Sequence, residues 1–140
     1  MMQKNINLSI QVPKDENSLL PVHSDVWSGD SPYEINLWVP LVNCFKTKSM
    51  YILKKKHNLN FFEAMKKGKY KSSKQIFNLI KSKLEFINIK YGEFLIFDQT
   101  LPHGNIVNIE QETRWSMNCR FKSIFSPYGD KKIGEFFTPI

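Results

Sequence analysis

The chain has 140 residues, 41% of them hydrophobic, and a net charge of +7, which suits one domain with a buried core and is too short for two. No apolar run approaches a membrane span, and Met1-Met2-Gln3-Lys4-Asn5 lacks the apolar segment of a secretory leader, so a soluble, cytoplasmic protein is expected. Only two cysteines occur, Cys44 and Cys119, which excludes a disulfide framework and a Cys-x-x-Cys zinc site; both are expected as buried free thiols in a reducing compartment.

Asn7-Leu8-Ser9-Ile10-Gln11-Val12-Pro13 alternates apolar and polar residues, as a half-buried strand does, and Pro13 stops it. After the polar turn Lys14 to Ser18, a second strand is predicted through Leu20-Pro21-Val22-His23-Ser24-Asp25. His23 and Asp25 are two apart, so on a strand both side chains leave the same face. The turn formers Ser28 to Pro32 lead into Tyr33–Val42, which puts Ile35, Leu37, Val39 and Leu41 on one face and Asn36 and Trp38 on the other. Ser49–Leu53 is a further short strand, followed by the charged loop Lys54 to Asn58.

Two helical pieces follow. Phe61 to Lys67 ends at Gly68, a C′ residue, and Ser72-Ser73-Lys74-Gln75 has the spacing of a capping box. The second helix carries the stripe Ile76, Leu79 and Ile80, read as core packing. From Phe86 the period returns to two: Phe86–Ile89 and Phe94–Asp98 flank the turn Lys90 to Glu93, and His103–Val107 and Trp115–Phe121 follow. The tail, Ser123 to Ile140, is read as an ordered irregular segment. Seven or eight short strands with a helical insert around residues 60–83 predict a mainly β fold: a jelly roll or cupin-like barrel, spanning residues 1–140 as one domain.

Residues 46–83 hold twelve of the twenty basic residues and a single acid, Glu63, a local charge of +11. The insert is expected beside the mouth of the barrel, where positive charge steers anionic substrates; a merely solvated lysine face is the alternative. A nucleic-acid surface would need aromatics interleaved with those lysines and exposed, whereas Phe61, Phe62, Tyr70 and Phe77 read as core. Neither nucleic acid nor membrane is expected as a partner. Of the twenty basic residues only Arg114 and Arg120 are arginines, so those two positions call for a physical reason.

An imidazole and a carboxylate side by side, as in His23 and Asp25, supply two of the three ligands of a facial metal site. The third ligand must come from a distant strand. The chain has three histidines, and His57 lies in the lysine-rich loop, which leaves His103.

His23-Ser24-Asp25, Gly92-Glu93-Phe94-Leu95-Ile96-Phe97-Asp98, Leu101-Pro102-His103-Gly104-Asn105 and Arg114, in this order and spacing, resemble the non-haem iron(II), 2-oxoglutarate-dependent dioxygenases. The likeness is to the phytanoyl-CoA-dioxygenase-like branch and its bacterial members among carbohydrate-biosynthesis genes, over roughly residues 20–121. The resemblance implies a double-stranded β-helix, with Fe(II) on His23, Asp25 and His103. It implies 2-oxoglutarate and O2 as co-substrates, and hydroxylation of a small, carbohydrate-related or anionic substrate with release of succinate and carbon dioxide. The presence of Asp25 argues against the halogenating branch.

A dicarboxylate that chelates the metal by its keto-acid end needs a planar, always-charged partner for its distal carboxylate, and Arg114, eleven residues after His103, is that candidate. Arg120 on the same strand face is the alternative, as is a surface ion pair between Arg114 and Glu110 or Glu112. Ser116, two after Arg114, shares its face and could bond the same carboxylate. By resemblance Asn105 and Trp38 also hold the co-substrate, Trp38 serving equally well as a core aromatic. One departure stands out. Only 22 residues precede His23, where the family carries a long N-terminal region that braces the outer sheet and contributes to the pocket. The pocket is then open, defective, or completed by a partner chain or a second copy. The competing reading is a cupin-like metal-binding or isomerising protein without oxygenase activity.

Overall fold

A computed structural model of the protein describes residues 1–68 and 70–140; Lys69, one of the lysines of the basic insert, lies outside the described residues. In chain order the elements are β1 (Met2–Gln3), β2 (Asn7–Gln11), β3 (Glu34–Pro40), β4 (Tyr51–Leu53), α1 (Asn58–Lys67), α2 (Ser73–Ile80), β5 (Leu84–Phe86), β6 (Leu95–Asp98), β7 (His103–Gly104), β8 (Arg114–Lys122) and β9 (Phe137–Thr138). They form a mainly β protein of two antiparallel sheets. The larger has the order β6-β3-β8-β1-β9, with β2 also on β8, and the smaller has the order β5-β4-β7.

β8 is the spine of the larger sheet. Its nine residues pair with β3 along one edge and with β2 and then β1 along the other. The tail predicted as irregular returns to this sheet through β9, which pairs with β1, a two-residue strand too short to leave a periodic trace. In the opposite direction, the strand expected over His103–Val107 shrinks to β7, two residues long.

α1 starts three residues earlier than the sequence predicts, and a 3-10 turn, Lys55–His57, winds directly into it. At α2 half of the expected capping box forms. The Ser72 hydroxyl accepts from the Gln75 N–H at 3.3 Å, while the Gln75 side chain accepts from Lys71 N–H rather than from Ser72. Ile76, Phe77 and Ile80 turn toward Val22, Tyr51, Leu53 and Phe61 in one of two apolar clusters, and Leu79, expected in the stripe, faces solvent. The second cluster joins the sheets through Trp38, Phe97, Ile52 and Leu101. Both cysteines are buried free thiols.

The larger sheet has an inverted polarity. Period-2 alternation assigns Glu34, Asn36 and Trp38 of β3 to one face, with Ser9 and Gln11 of β2 and Arg114, Ser116, Asn118 and Arg120 of β8, and that largely polar face is the inner one. The apolar residues point outward. Register places them in rows: Ile10 beside Trp115; Leu8, Met117 and Val39; Cys119, Leu37 and Ile96; Phe121 beside Ile35. The alternating apolar residues of β2 and β3 therefore face away from the cavity, and the polar faces line it.

Glu34 shows what that arrangement costs. It is 1% exposed, and neither carboxylate oxygen has a hydrogen-bond partner among the described residues. Burial, then the negative charge of Asp30, hold its carboxyl above the usual range; the opposing pull of Lys131 is smaller. A carboxyl raised on folding contributes fully below its ordinary range and loses that contribution as pH rises through the raised value. Glu34→Gln is therefore expected to raise the melting temperature by a few degrees at about pH 8, an effect of about 1 kcal/mol, with the gain shrinking toward about pH 4. Thermal unfolding of both proteins across that pH range checks the sign.

Candidate metal centre

His23 and His103 face one another across an isolated antiparallel bridge. The two residues exchange backbone hydrogen bonds, His23 N–H to His103 O at 2.9 Å and His103 N–H to His23 O at 2.8 Å. Each imidazole then folds back on its own chain: Nδ1 of His23 lies 2.9 Å from Pro21 O, and Nδ1 of His103 lies 2.8 Å from Leu101 O. A carbonyl only accepts, so each Nδ1 carries the proton and each Nε2 keeps its lone pair.

The sequence predicts His23 and Asp25 on one strand. The structure differs: Ser24 is still extended, but there the strand ends and Asp25 opens a 3-10 turn, Asp25–Ser28. Ser24 fixes that turn, its buried hydroxyl shared between Gln99 O at 3.0 Å and Thr100 O at 3.1 Å. The turn swings the carboxylate between the two rings. Nε2 of His23 is 3.9 Å from Asp25 Oδ1, and Nε2 of His103 is 4.0 Å from Oδ2. Ligand atoms of all three residues lie within 4.8 Å of one another. A shared ion with bonds of ~2.1 Å would draw them to roughly 3 Å, a small contraction.

The charges around Asp25 suit a ligand. Asn36 Nδ2 donates to Oδ2 at 2.6 Å and Arg120 Nη2 to Oδ1 at 2.9 Å; Arg120 also sits 3.7 Å from Asp30, which Lys131 holds at 2.6 Å. Burial by itself would raise the Asp25 carboxyl, but Arg120, His103, the Asn36 bond and His23 together hold it below the usual range. Burial and the neighbouring His23 push His103 down to about 4, with Asp25 opposing. Around neutral pH His103 is thus a neutral imidazole, the form that binds metal. Two imidazoles and one carboxylate, with outer partners already in place, fit a divalent transition metal.

The site opens on a cavity of about 290 Å³. Arg114 lines it at 4% exposure, its Nη2 donating to Ser9 Oγ at 3.3 Å, while Nε and Nη1 have no partner among the described residues. Burial lowers this guanidinium from a very high starting point, so it remains a cation. The surface-ion-pair alternative falls away, because Glu112 binds Lys48 and Glu110 accepts from Thr47. Arg120, the other candidate, is already engaged with Asp25.

Ser116 is fully buried opposite Ser9, with its hydroxyl unpartnered. Trp38 lines the cavity and belongs at the same time to the apolar cluster between the sheets. Asn105 also lines the cavity, but its amide is largely taken up locally: Oδ1 accepts from Leu20 N–H at 2.6 Å and Nδ2 donates to Ser18 O at 3.2 Å. It therefore anchors the segment that leads into His23. Among the described residues no lysine of the basic insert lines the cavity, whose positive charge comes from the two arginines. His57 stays in its 3-10 turn away from the site. The sequence reading missed Asn36, the Asp25 partner. Its place on the Trp38 face was legible, but nothing local tied it to a residue eleven positions earlier.

No family model matches the chain, and no curated protein matches it in sequence. Among solved structures, the chain is similar to a non-heme monooxygenase, the ThoJ–nickel complex, with 15% identity over 87% of this chain and 44% of that one, at a TM-score of 0.60. It is also similar to HygX from Streptomyces hygroscopicus with nickel and 2-oxoglutarate bound, with 14% identity over 86% and 57% of the two chains and a TM-score of 0.56. AviO1 from Streptomyces viridochromogenes gives 13%, 91%, 54% and 0.63 in the same order. The chain spans about half the length of these structures. At such identities the likeness shows a shared fold.

His103→Ala is expected to weaken nickel(II) binding at least about 100-fold, while His57→Ala leaves it unchanged. Calorimetric titration with nickel(II) checks both; an unaffected His103→Ala protein would place the metal elsewhere.

Proposed function

We propose that this chain carries the double-stranded β-helix core of an Fe(II)- and 2-oxoglutarate-dependent oxygenase, which hydroxylates a small, carbohydrate-related or anionic molecule. One observation carries the reading. The three convergent ligand atoms open on the same cavity as a buried arginine whose Nε–H and Nη1–H have no partner among the described residues. An unpartnered buried guanidinium is costly, and a carboxylate from outside the chain would satisfy it.

His23, Asp25 and His103 would hold the metal and leave its other positions open, and Arg114, with the unpartnered Ser116 hydroxyl two residues on, would take the distal carboxylate of 2-oxoglutarate. When bound, iron and 2-oxoglutarate supply the oxidation: one oxygen atom of O2 enters a substrate C–H bond, the other ends in succinate, and carbon dioxide leaves. The protein's own residues position and shield. Asn36 and Arg120 fix the Asp25 carboxylate, the Pro21 and Leu101 carbonyls fix the two rings, and Trp38, Met50 and Phe97 keep one wall of the cavity apolar. The substrate expectation rests on resemblance and on the polar amide groups of Asn7, Asn36 and Asn118 around the cavity.

Anaerobic titration with Fe(II) and then 2-oxoglutarate tests the site class. The visible charge-transfer band expected by resemblance should appear only when both are present. Metal binding with no response to 2-oxoglutarate would favour a cupin-like metal protein without oxygenase activity. Arg114→Lys keeps the charge but loses the planar fork, and is expected to weaken 2-oxoglutarate binding about 10- to 100-fold with nickel(II) affinity unchanged. Equal 2-oxoglutarate affinities would remove Arg114 from that role.

A further inference from the structure

We infer that the outer face of the larger sheet is the contact surface of a two-fold homodimer of this chain. The face is apolar across four strands. Leu8 and Ile96 are each 56% exposed, Ile35 44%, Trp115 42% and Ile10 40%; Leu37, Val39, Met117 and Phe121 between them are half-buried, and Cys119 is buried. These five exposed fractions amount to roughly 500 Å² per copy, or about 1,000 Å² buried by a pair, which is the lower bound for a specific interface.

The charge pattern selects a second copy as the occupant. In an isologous interface each face must complement itself, so any charge away from the two-fold axis has to find an opposite charge on the same face. None of the twenty basic residues falls in these rows, although they make up one seventh of the chain, and Asp98 beside Ile35 is the one acid. An apolar, nearly uncharged face is self-complementary without any further device, whereas the remaining surface of a +7 chain repels its own copy. Two such sheets pack face to face at about 10 Å with their strands within about 30° of each other. The metal cavity lies on the opposite side of the same sheet, so pairing leaves its mouth accessible and the dimer can be tested apart from the site.

Sedimentation equilibrium from about 1 to 100 µM is expected to give 33 kDa, twice the 16.5 kDa chain mass. The double variant Leu8→Glu/Trp115→Glu, with both changes on exposed side chains, is expected to run at 16.5 kDa, its dimer dissociation constant raised at least about 100-fold. Nickel(II) affinity equal to that of the parent shows that the variant has folded. Should it fail to fold, Ile35→Lys/Ile96→Lys on β3 and β6 tests the same face with the same expected result. A parent monomeric over the whole range overturns the inference. So does a dimer that survives both double variants, and so does a parent that is held in solution by a different polypeptide in equal stoichiometry.

Discussion

The reciprocal backbone pair between His23 and His103 is the contact on which the site depends. It joins two segments eighty residues apart and continues through Asn105 N–H to Leu20 O at 2.9 Å, while on its other side the His103 segment is bonded to β4, with Leu53 N–H donating to Pro102 O at 2.8 Å. His103 thereby lies between His23 and its other strand neighbour, Ile52. The next residue has to be glycine, since a Cβ on Gly104 would sit 2.7 Å from both Leu20 O and Tyr51 Oη. Two rings with centroids 4.3 Å apart follow from backbone pairing alone, before any metal is considered.

Around that pair the protein accepts polar burial that few sheets show. An inner face carrying Arg114, Arg120, Glu34 and Lys122 loses solvation at every one of those groups. Some of it is recovered by pairing: Arg120 on Asp25, Lys131 on Asp30, and Lys122 donating to Pro127 O at 2.7 Å above the Tyr128 ring. The apolar clusters at Trp38–Phe97 and Tyr51–Phe61 lie to the sides of the polar interior rather than at its centre. A ligand that enters the cavity replaces lost solvation, which links binding to stability.

The two arginines divide the work. Arg120 is bound to the candidate metal ligand and, beyond it, to Asp30, so it belongs to the structure of the site. Arg114 is held by a single side-chain bond to Ser9 and retains donors for something else. A planar cation with two unsatisfied N–H groups favours a carboxylate by shape as well as charge, and a lysine in the same place would not.

Much of this was legible in the sequence. The strands β2, β3, β6 and β8, the helical insert and the grouping of His23, Asp25 and His103 follow from period-2 alternation, capping residues and the scarcity of histidine. These signals are local, or need only a choice among three residues. The tertiary structure decided the rest. Alternation shows that a strand has two unlike faces but not which is buried, and here the polar faces of β2 and β3 line the cavity while their apolar faces turn away from it. The 3-10 turn at Asp25 comes from Ser24 bonding to carbonyls 75 and 76 residues away, a contact with no local trace. Likewise the assignment of Arg120 to Asp25, and so of Arg114 to the open cavity, was settled by how β3 and β8 bring distant side chains to one point.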